Sequence, residues 1–310
     1  MKRIGQFLLA NNVYAIAIAF LCAVLEVFHV YVGFVATIIL GLVTLQKGPK
    51  SGLMMLAWIA LPAIALLVLR DWGQSDLLIL RCIFMWIFAS LLNRYKSWSF
   101  LLTLTTAVGV VLIIILHLFV PHLQQWWIKE ITAHLNTFYK EVQATPKWNS
   151  VKISPAQFAQ YAAPYATGVG SFFLIGTLLI ELIFARYWQL VVMNLGGIKN
   201  ELIRIRMNRY AAVVVAILLV LALVFEIPVA ADALAFAVLP FFIAGLSLVH
   251  FWFRRNVASV CCLVLIYAGL IFMPVIFITV LAIFAFADSW CNFRNRKTVG
   301  VEVRSGSSEV

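Results

Sequence analysis

The feature that most restricts the fold of this 310-residue chain is a series of about ten long apolar segments. Each is a continuous apolar run rather than an alternation of apolar and polar residues, so the segments predict helices and not the strands of a membrane barrel. The segments cover residues 13–28, 30–45, 53–69, 77–92, 100–120, 165–185, 210–225, 233–253, 257–272 and 275–287.

The solvent for most of this chain is expected to be lipid. Hydrophobic residues make up 64% of it, charged residues 11%, and the mean hydropathy is +1.03. Twelve acidic and 23 basic residues are too few to cover a soluble domain of this size. Because helices satisfy their own backbone in lipid, we predict an all-α polytopic transmembrane bundle, a single membrane domain over residues 1–310.

The number of crossings is predicted to be about eight to ten, because the first two and the last two segments could each be one long tilted helix or a hairpin. The formal net charge of +11 bears on this choice. With ten crossings and an inner N-terminus, most basic residues fall on the inner side, as the positive-inside rule requires. We therefore expect a bacterial cytoplasmic membrane protein with cytosolic termini, including a tail over 292–310, and no nucleic-acid partner.

The segment 121–164 is the one long stretch without membrane-like character, and we expect it to be exported. Its apolar residues recur at helical spacing, which predicts an amphipathic helix on the outer membrane surface or over the mouth of the bundle. Ser154 and Pro155 are expected to begin a second short helix. The first helix is either a lid over a cavity or a structural cap; its apolar face comprises Leu123, Trp127, Ile131, Leu135, Phe138 and Val142.

The connection 194–209 is strongly basic and is expected to be cytosolic. Gly196 and Gly197 are predicted to end the preceding helix. A short amphipathic helix should follow, with Ile198, Leu202 and Ile205 on its apolar face. Its cations would contact either anionic lipid or a cytosolic partner such as an ATPase or coupling subunit; they are Lys199, Arg204, Arg206 and Arg209.

Ionisable residues within apolar segments are the default candidates for function in a membrane protein. Glu26 and His29 are three residues apart near the outer end of the first segment, and Arg81 is one turn into its own segment from the same side. Arg81 could pair with Glu26, or it could bind a substrate carboxylate. The three residues are the predicted substrate-binding site.

Other site chemistry has little support in the sequence. The histidines do not converge with an acid-rich motif, so we predict no metal site and no cofactor. Motifs of nucleotide binding, serine hydrolysis and zinc proteolysis are not found, and an enzyme is therefore not indicated. The five cysteines have no metal-like or disulfide-like spacing and should behave as small apolar residues.

Two stretches resemble the YybS-like family of predicted bacterial membrane proteins, whose function is unknown. Asn194-Leu195-Gly196-Gly197, followed by the Leu-Ile-Arg-Ile-Arg run 202–206, resembles the family's Asn-Pro-Gly-Gly stretch and its downstream Leu-Arg-Leu. The end from Asp288 through Phe293-Arg294 is similar to the family's acidic residue before a Phe-Arg-basic end. The resemblance implies the multispan layout with one exported helical loop, but no reaction.

A second likeness is to the substrate-binding subunits of energy-coupling-factor vitamin transporters. Ala15, Ala19 and Ala23 form a small-residue stripe, and those subunits use such a stripe to contact their transmembrane coupling protein. The glycine-bearing turn 48–52 is similar to their short loop as well. The likeness implies that the stripe contacts a coupling protein.

These observations lead to two hypotheses of function. The first is a small-molecule transport component or substrate-binding subunit without its own ATPase. The alternative is a non-transporting membrane scaffold or assembly factor that recruits other proteins. A cavity of about 300 Å³ lined by Glu26, His29 or Arg81 would favour transport, and a solid bundle would favour the scaffold.

Overall fold

The computed structural model describes residues 2–27, 32–69, 74–143, 154–253 and 257–294, and every regular element in these ranges is helical. A short 3-10 turn at Ala163–Tyr165 joins two of the helices. The helices in chain order are α1 Lys2–Ala10, α2 Asn12–Val27, α3 Gly33–Lys47, α4 Pro49–Leu69, α5 Gln74–Tyr95, α6 Trp98–Phe119, α7 Leu123–Gln143, α8 Pro155–Ala162, α9 Ala166–Met193, α10 Lys199–Leu202, α11 Arg209–Leu223, α12 Pro228–Trp252, α13 Val257–Phe272 and α14 Pro274–Cys291.

The predicted all-α multispan fold is confirmed. Each apolar segment of the sequence corresponds to a helix, namely α2 to α6, α9 and α11 to α14. Among the described residues, five helices are long and apolar enough to cross a membrane, and α1 with α2 would make a sixth if this bent pair is one span. Three shorter apolar helices add to these, and the count of eight to ten crossings stays a prediction.

The outer surfaces of the helices are apolar, as a lipid environment requires. Phe272 is 83% exposed, Ile271 76% and Val275 76%. Contiguous exposed apolar surface of this kind is rare on soluble monomers and marks contact with a membrane or a partner. Helices that are apolar around their whole circumference are typical of membrane spans.

The chain divides into two compact units. Unit 1 comprises Met1–Leu101 with Leu174–Ile205, and unit 2 comprises Leu102–Phe173 with Arg206–Val310. The helices α6 and α9 each contribute residues to both units, without a polar linker.

Unit 1 is built around α3, which packs against α2, α4 and α5. Ala36 and Leu40 of α3 are fully buried. The helix α1 is bent by 109° from α2 and packs its Gly5 against Trp188 and Val192 of α9. A side chain at Gly5 would collide with both residues, so glycine is what allows this close approach.

Two side-chain hydrogen bonds join the ends of helices within unit 1. The Lys2 ammonium donates to Asn194 Oδ1 at 2.9 Å, and Lys47 donates to Asn12 Oδ1 at 2.5 Å. The beginning of α1, the end of α3 and the end of α9 therefore lie at the same end of unit 1.

Unit 2 is built around α12, which packs against α11, α14 and the 3-10 turn. Proline is the first residue of both α12 and α14, where its missing N–H has no helical partner to lose. Gly245 of α12 contacts the backbone of Leu281 in α14, and Gly109 of α6 contacts the ring of Phe236. Small residues at such crossings let helices pack closely in lipid.

The predicted exported segment contains the expected helices in its described part, α7 and α8. Ser154 caps α8 as predicted: its hydroxyl accepts from the Gln157 amide, and the Gln157 side chain accepts from the Ser154 amide. On the apolar face of α7, Leu123 is buried and Phe138 is 54% exposed, whereas the side chain of Val142 lies outside the described residues.

The basic connection differs from the predicted amphipathic helix over 194–209. Only Lys199–Leu202 is helical, and residues 205–208 have no regular structure. From Ile203 onward buried apolar residues alternate with more exposed polar ones, with Ile205 and Met207 each 2% exposed. Ile203 and Arg204 form a hydrogen-bonded turn that ends this helix, and the alternation runs through the turn and the irregular stretch 205–208 after it.

Replacement of two helical glycines should have opposite effects. We expect Gly245→Ala to destabilise the protein by about 1–3 kcal/mol, because the new methyl group would meet the Leu281 carbonyl, which is backbone and cannot rotate away. Gly170→Ala is the matched control. Its nearest neighbour is a Trp127 ring atom at 4.0 Å, so the gain in helix propensity of about 1 kcal/mol should dominate. Thermal unfolding in detergent measures both, and equal effects would contradict this packing.

Candidate functional site

A buried ion pair inside unit 1 is the centre of the candidate site. A terminal N–H of Arg81 on α5 donates to Glu181 Oε1 on α9, and the two side chains are 16% and 8% exposed. Thr37 of α3, which is fully buried, donates its hydroxyl to Glu181 Oε2 at 2.5 Å. Three apolar helices thus converge on one carboxylate.

Glu26 binds backbone and not Arg81. Its Oε2 accepts from the amide of Gly33, the first residue of α3, at 2.7 Å. The carboxylate therefore satisfies a free amide at a helix N-terminus, where the helix dipole also favours negative charge. A side chain at Gly33 would collide with this carboxylate, so glycine is needed there.

The pairing of Arg81 with Glu181 corrects the pairing with Glu26 that was considered from the sequence. Arg186 pairs with Glu201. Glu181 is the site residue that sequence reasoning missed. Its signal was present, since it is an ionisable residue within an apolar segment and such residues need a partner.

Arg81 keeps one donor group without a partner. Its Nε–H is buried and makes no hydrogen bond within the described part of the chain. A buried donor without an acceptor costs about 1–3 kcal/mol, and more when the group is charged. The fixed fork of a guanidinium has the geometry to bind a second acceptor oxygen at this position.

The other predicted site residues have different outcomes. His29 lies outside the described residues. Ala15, Ala19 and Ala23 are 1%, 0% and 0% exposed, and their helix α2 packs against α3 and α4 of the same chain. In this structure the alanine stripe is thus internal packing and offers no surface to a coupling protein.

The cations of the basic connection fall into two groups. Lys199, Arg204 and Arg209 are exposed, and the Arg209 guanidinium lies 5.6 Å from the ring centre of Tyr210. Arg206, in unit 2, instead donates to the carbonyl oxygens of Asp288 and Ser289 at 2.9 and 3.2 Å, at the end of α14. Only the first group is available for contact with lipid or a partner.

Glu201 organises the beginning of the basic connection in unit 1. It accepts two hydrogen bonds from Arg186, at 2.7 and 3.2 Å, and one from the Trp98 indole at 3.1 Å. Burial opposes its ionisation, but these bonds and the charge of Arg186 outweigh burial and lower the pKa of Glu201 below its ordinary value. Glu201 is therefore a fixed anion at neutral pH.

A pocket of about 290 Å³ opens beside Glu201 in unit 1. Its lining includes Lys96, Ser97, Trp98, Asn200 and Arg204. The volume is near the lower end for small-molecule sites. The pocket is polar, and none of the predicted substrate-binding residues lines it.

Comparison of the chain with protein-family models, with curated proteins and with solved structures finds no match. The case for function therefore depends on the geometry of the site.

The Arg81–Glu181 pair should behave as one thermodynamic unit. Arg81→Met or Glu181→Leu alone leaves one charge buried without its partner, which costs about 3–5 kcal/mol. The double variant removes both charges and should be more stable than either single variant. Thermal unfolding in detergent measures this.

The matched control for this cycle is Arg94→Met, on the same helix but exposed, which should change stability by less than about 1 kcal/mol. Additive losses in the double variant would mean that the two charges do not interact.

Proposed function

We propose that this chain is a small-molecule transport component of the bacterial cytoplasmic (inner) membrane, and that it binds a small solute bearing a carboxylate at Arg81. The observation that carries the proposal is the buried Nε–H of Arg81, which lacks a partner among the described residues. Ionisable groups at depth in a membrane protein mark substrate and ion pathways.

The ion pair is better explained by binding than by stability. A buried ion pair contributes little to folding, and apolar residues of the same volume often serve as well or better. A solute carboxylate could bind the free Nε–H while Glu181 holds the terminal nitrogen, or it could displace Glu181. If Glu181 is displaced, the guanidinium supplies the planar, two-point recognition that carboxylates favour.

Two contacts of Lys2 and Lys47 agree with a cytosolic N-terminus in a multi-pass topology. Lys2, Lys47 and the end of α9 lie together at one end of unit 1. These are the positions that the positive-inside rule assigns to the cytosol. If this end of unit 1 lies in the cytosol, the exposed cations Lys199 and Arg204 are near the inner leaflet. Its anionic lipids attract such residues by about 1 kcal/mol each.

The sequence has no phosphate-binding loop, so the energy for transport would have to come from a source other than nucleotide hydrolysis by this chain. A coupling protein or an ATPase is one source, and its docking surface would include the exposed cations of the basic connection. Membership of the YybS-like family stays part of this proposal and adds no ligand to it. The alanine stripe that carries the likeness to energy-coupling-factor subunits is buried, so a coupling protein would have to dock elsewhere on the chain.

A membrane scaffold is the second candidate. The observation in its favour is the polar pocket beside Glu201, which two exposed cations line. A pocket of this volume could hold an acidic side chain of a cytosolic protein. Recruitment through it would require no solute at Arg81.

Small molecules that copurify with the protein test the proposal most directly. Untargeted mass spectrometry of the wild-type protein should find a carboxylate-bearing compound that Arg81→Gln reduces at least about tenfold, the loss expected for about 1.4 kcal/mol or more of binding energy. Arg94→Gln, an exposed cation on the same helix, should retain the compound. A wild-type sample with no such enrichment, or equal loss in both variants, would contradict the transport proposal and favour the scaffold.

A further inference from the structure

Unit 2 contains a second buried ionisable pair, distinct from the Arg81 site. Asp232, in the second turn of α12, has a side chain only 1% exposed. His117, near the end of α6, places its Nε2 3.5 Å from Asp232 Oδ2 and is 21% exposed. Asp232 Oδ2 is buried and has no hydrogen-bond partner among the described residues.

The contact made by Nδ1 of His117 shows which ring nitrogen carries the hydrogen. His117 Nδ1 lies 3.0 Å from the Ile113 carbonyl oxygen, and a carbonyl can only accept a hydrogen bond. Nδ1 therefore carries a hydrogen. In the neutral ring Nε2 then has a lone pair, and it would face the lone pairs of the Asp232 carboxylate across 3.5 Å.

One added proton removes this repulsion. It can sit on Nε2, giving an imidazolium beside a carboxylate, or on Oδ2, giving a carboxylic acid that donates to Nε2. We propose that His117 and Asp232 form a proton-binding site, which holds one proton between Nε2 and Oδ2 and exchanges it as a unit. Its net charge changes from −1 without that proton to zero with it.

Neighbouring groups orient the Asp232 carboxylate so that its Oδ2 faces His117. The Gly168 amide of α9 donates to the other oxygen, Asp232 Oδ1, at 2.5 Å. A side chain at Gly168 would collide with the Asp232 carbonyl, so glycine lets the two helices approach closely enough for this bond. The Thr167 hydroxyl lies beside the carboxylate and accepts from the Trp127 indole of α7 at 2.8 Å.

On the elements that pack against α12, the other ionisable groups are remote from this pair or exposed; on α7, which contacts Thr167 through Trp127, Lys129 and His134 are exposed and Glu130 is half-buried. On α11 the charged residue is Arg209. It is the first residue of that helix, whereas the last residue of α11 is the one nearer to Asp232 in sequence. On α14 the charged residue is Asp288, which interacts with Arg294. Arg294 in turn bonds Ser247, about 22 Å along α12 from Asp232 at about 1.5 Å per residue. Glu226, before α12, and Tyr165, in the 3-10 turn, are exposed.

The proton site deepens the transport function and rests on it for its physiological meaning. Between helices in lipid, a site of charge −1 is much more costly than a neutral one, so loading a proton would change which arrangement of α6, α9 and α12 is favoured. The partly exposed ring of His117 gives protons a route to the buried carboxylate. A proton gradient could then contribute energy to solute movement.

Infrared difference spectroscopy between acidic and alkaline pH, without any solute, tests the site on the full-length protein. As the pH rises through the range where the one proton is released, the wild type should lose a protonated-carboxyl band if the proton sits on Oδ2, or imidazolium bands if it sits on Nε2, and Asp232→Asn should abolish the change. Asp288→Asn is the control, because that equally buried carboxylate lies beside Arg206 and Arg294 and not beside His117, so this variant should keep the change. An unchanged spectrum in Asp232→Asn would overturn the proposal.

Histidine NMR of the wild type keeps the test independent of whether Asp232→Asn folds. With ¹⁵N-labelled histidine, and the His117 signals assigned by their loss in His117→Gln, Nδ1 should carry hydrogen throughout while Nε2 responds to pH. A neutral ring with hydrogen on Nε2 alone would refute the site. Neither measurement uses a solute. The proton-site proposal can therefore be refuted without affecting the proposal of solute binding at Arg81, and solute binding can be refuted without affecting the proton site.

Discussion

The high free energy of ionised groups in hydrocarbon is the constraint on which this structure depends. The described helices bury four carboxylates, and each accepts a hydrogen bond from a backbone amide or a side chain that comes from another part of the chain or from a helix end. The partners are Gly33 for Glu26, Arg81 and Thr37 for Glu181, Gly168 for Asp232, and Phe293 for Asp288. These anchors also fix which helices pack together.

The buried carboxylates differ in the groups that surround them. Asp288 receives the Phe293 amide at 2.9 Å and lies beside two arginines, so it closes the end of α14. At two of the other three carboxylates, Glu181 and Asp232, one polar atom of the site has no hydrogen-bond partner among the described residues: Arg81 Nε in unit 1 and Asp232 Oδ2 in unit 2. An incompletely satisfied group in a dry site is unfavourable for folding, and a ligand or a proton would relieve it.

The helices could be predicted from the sequence because their length and continuous apolar character require only local information. The Ser154 cap is local as well, since its partner Gln157 is three residues away. The partner of Arg81 could not be predicted, because Glu181 is 100 residues away and the choice between it and Glu26 depends on how the helices pack.

Three further features of the structure were not predicted correctly from the sequence, and in each the deciding information is how the helices pack. The basic connection was interpreted by the spacing of Ile198, Leu202 and Ile205, whereas in the structure burial alternates around Ile205. An alanine stripe indicates close packing but does not identify the partner, and here its partners are helices of the same chain. The His117–Asp232 pair was missed because its two residues are far apart in the sequence and belong to no motif.

Labelling of single cysteines on the two sides of α6 tests the central claim that hydrocarbon surrounds these helices. In a cysteine-free background, Gln124→Cys should react with a membrane-impermeant maleimide on intact spheroplasts, whereas Arg94→Cys, also exposed, should react only after lysis. Equal labelling of both positions on intact spheroplasts would contradict a crossing by α6, and with it the membrane placement of both buried pairs.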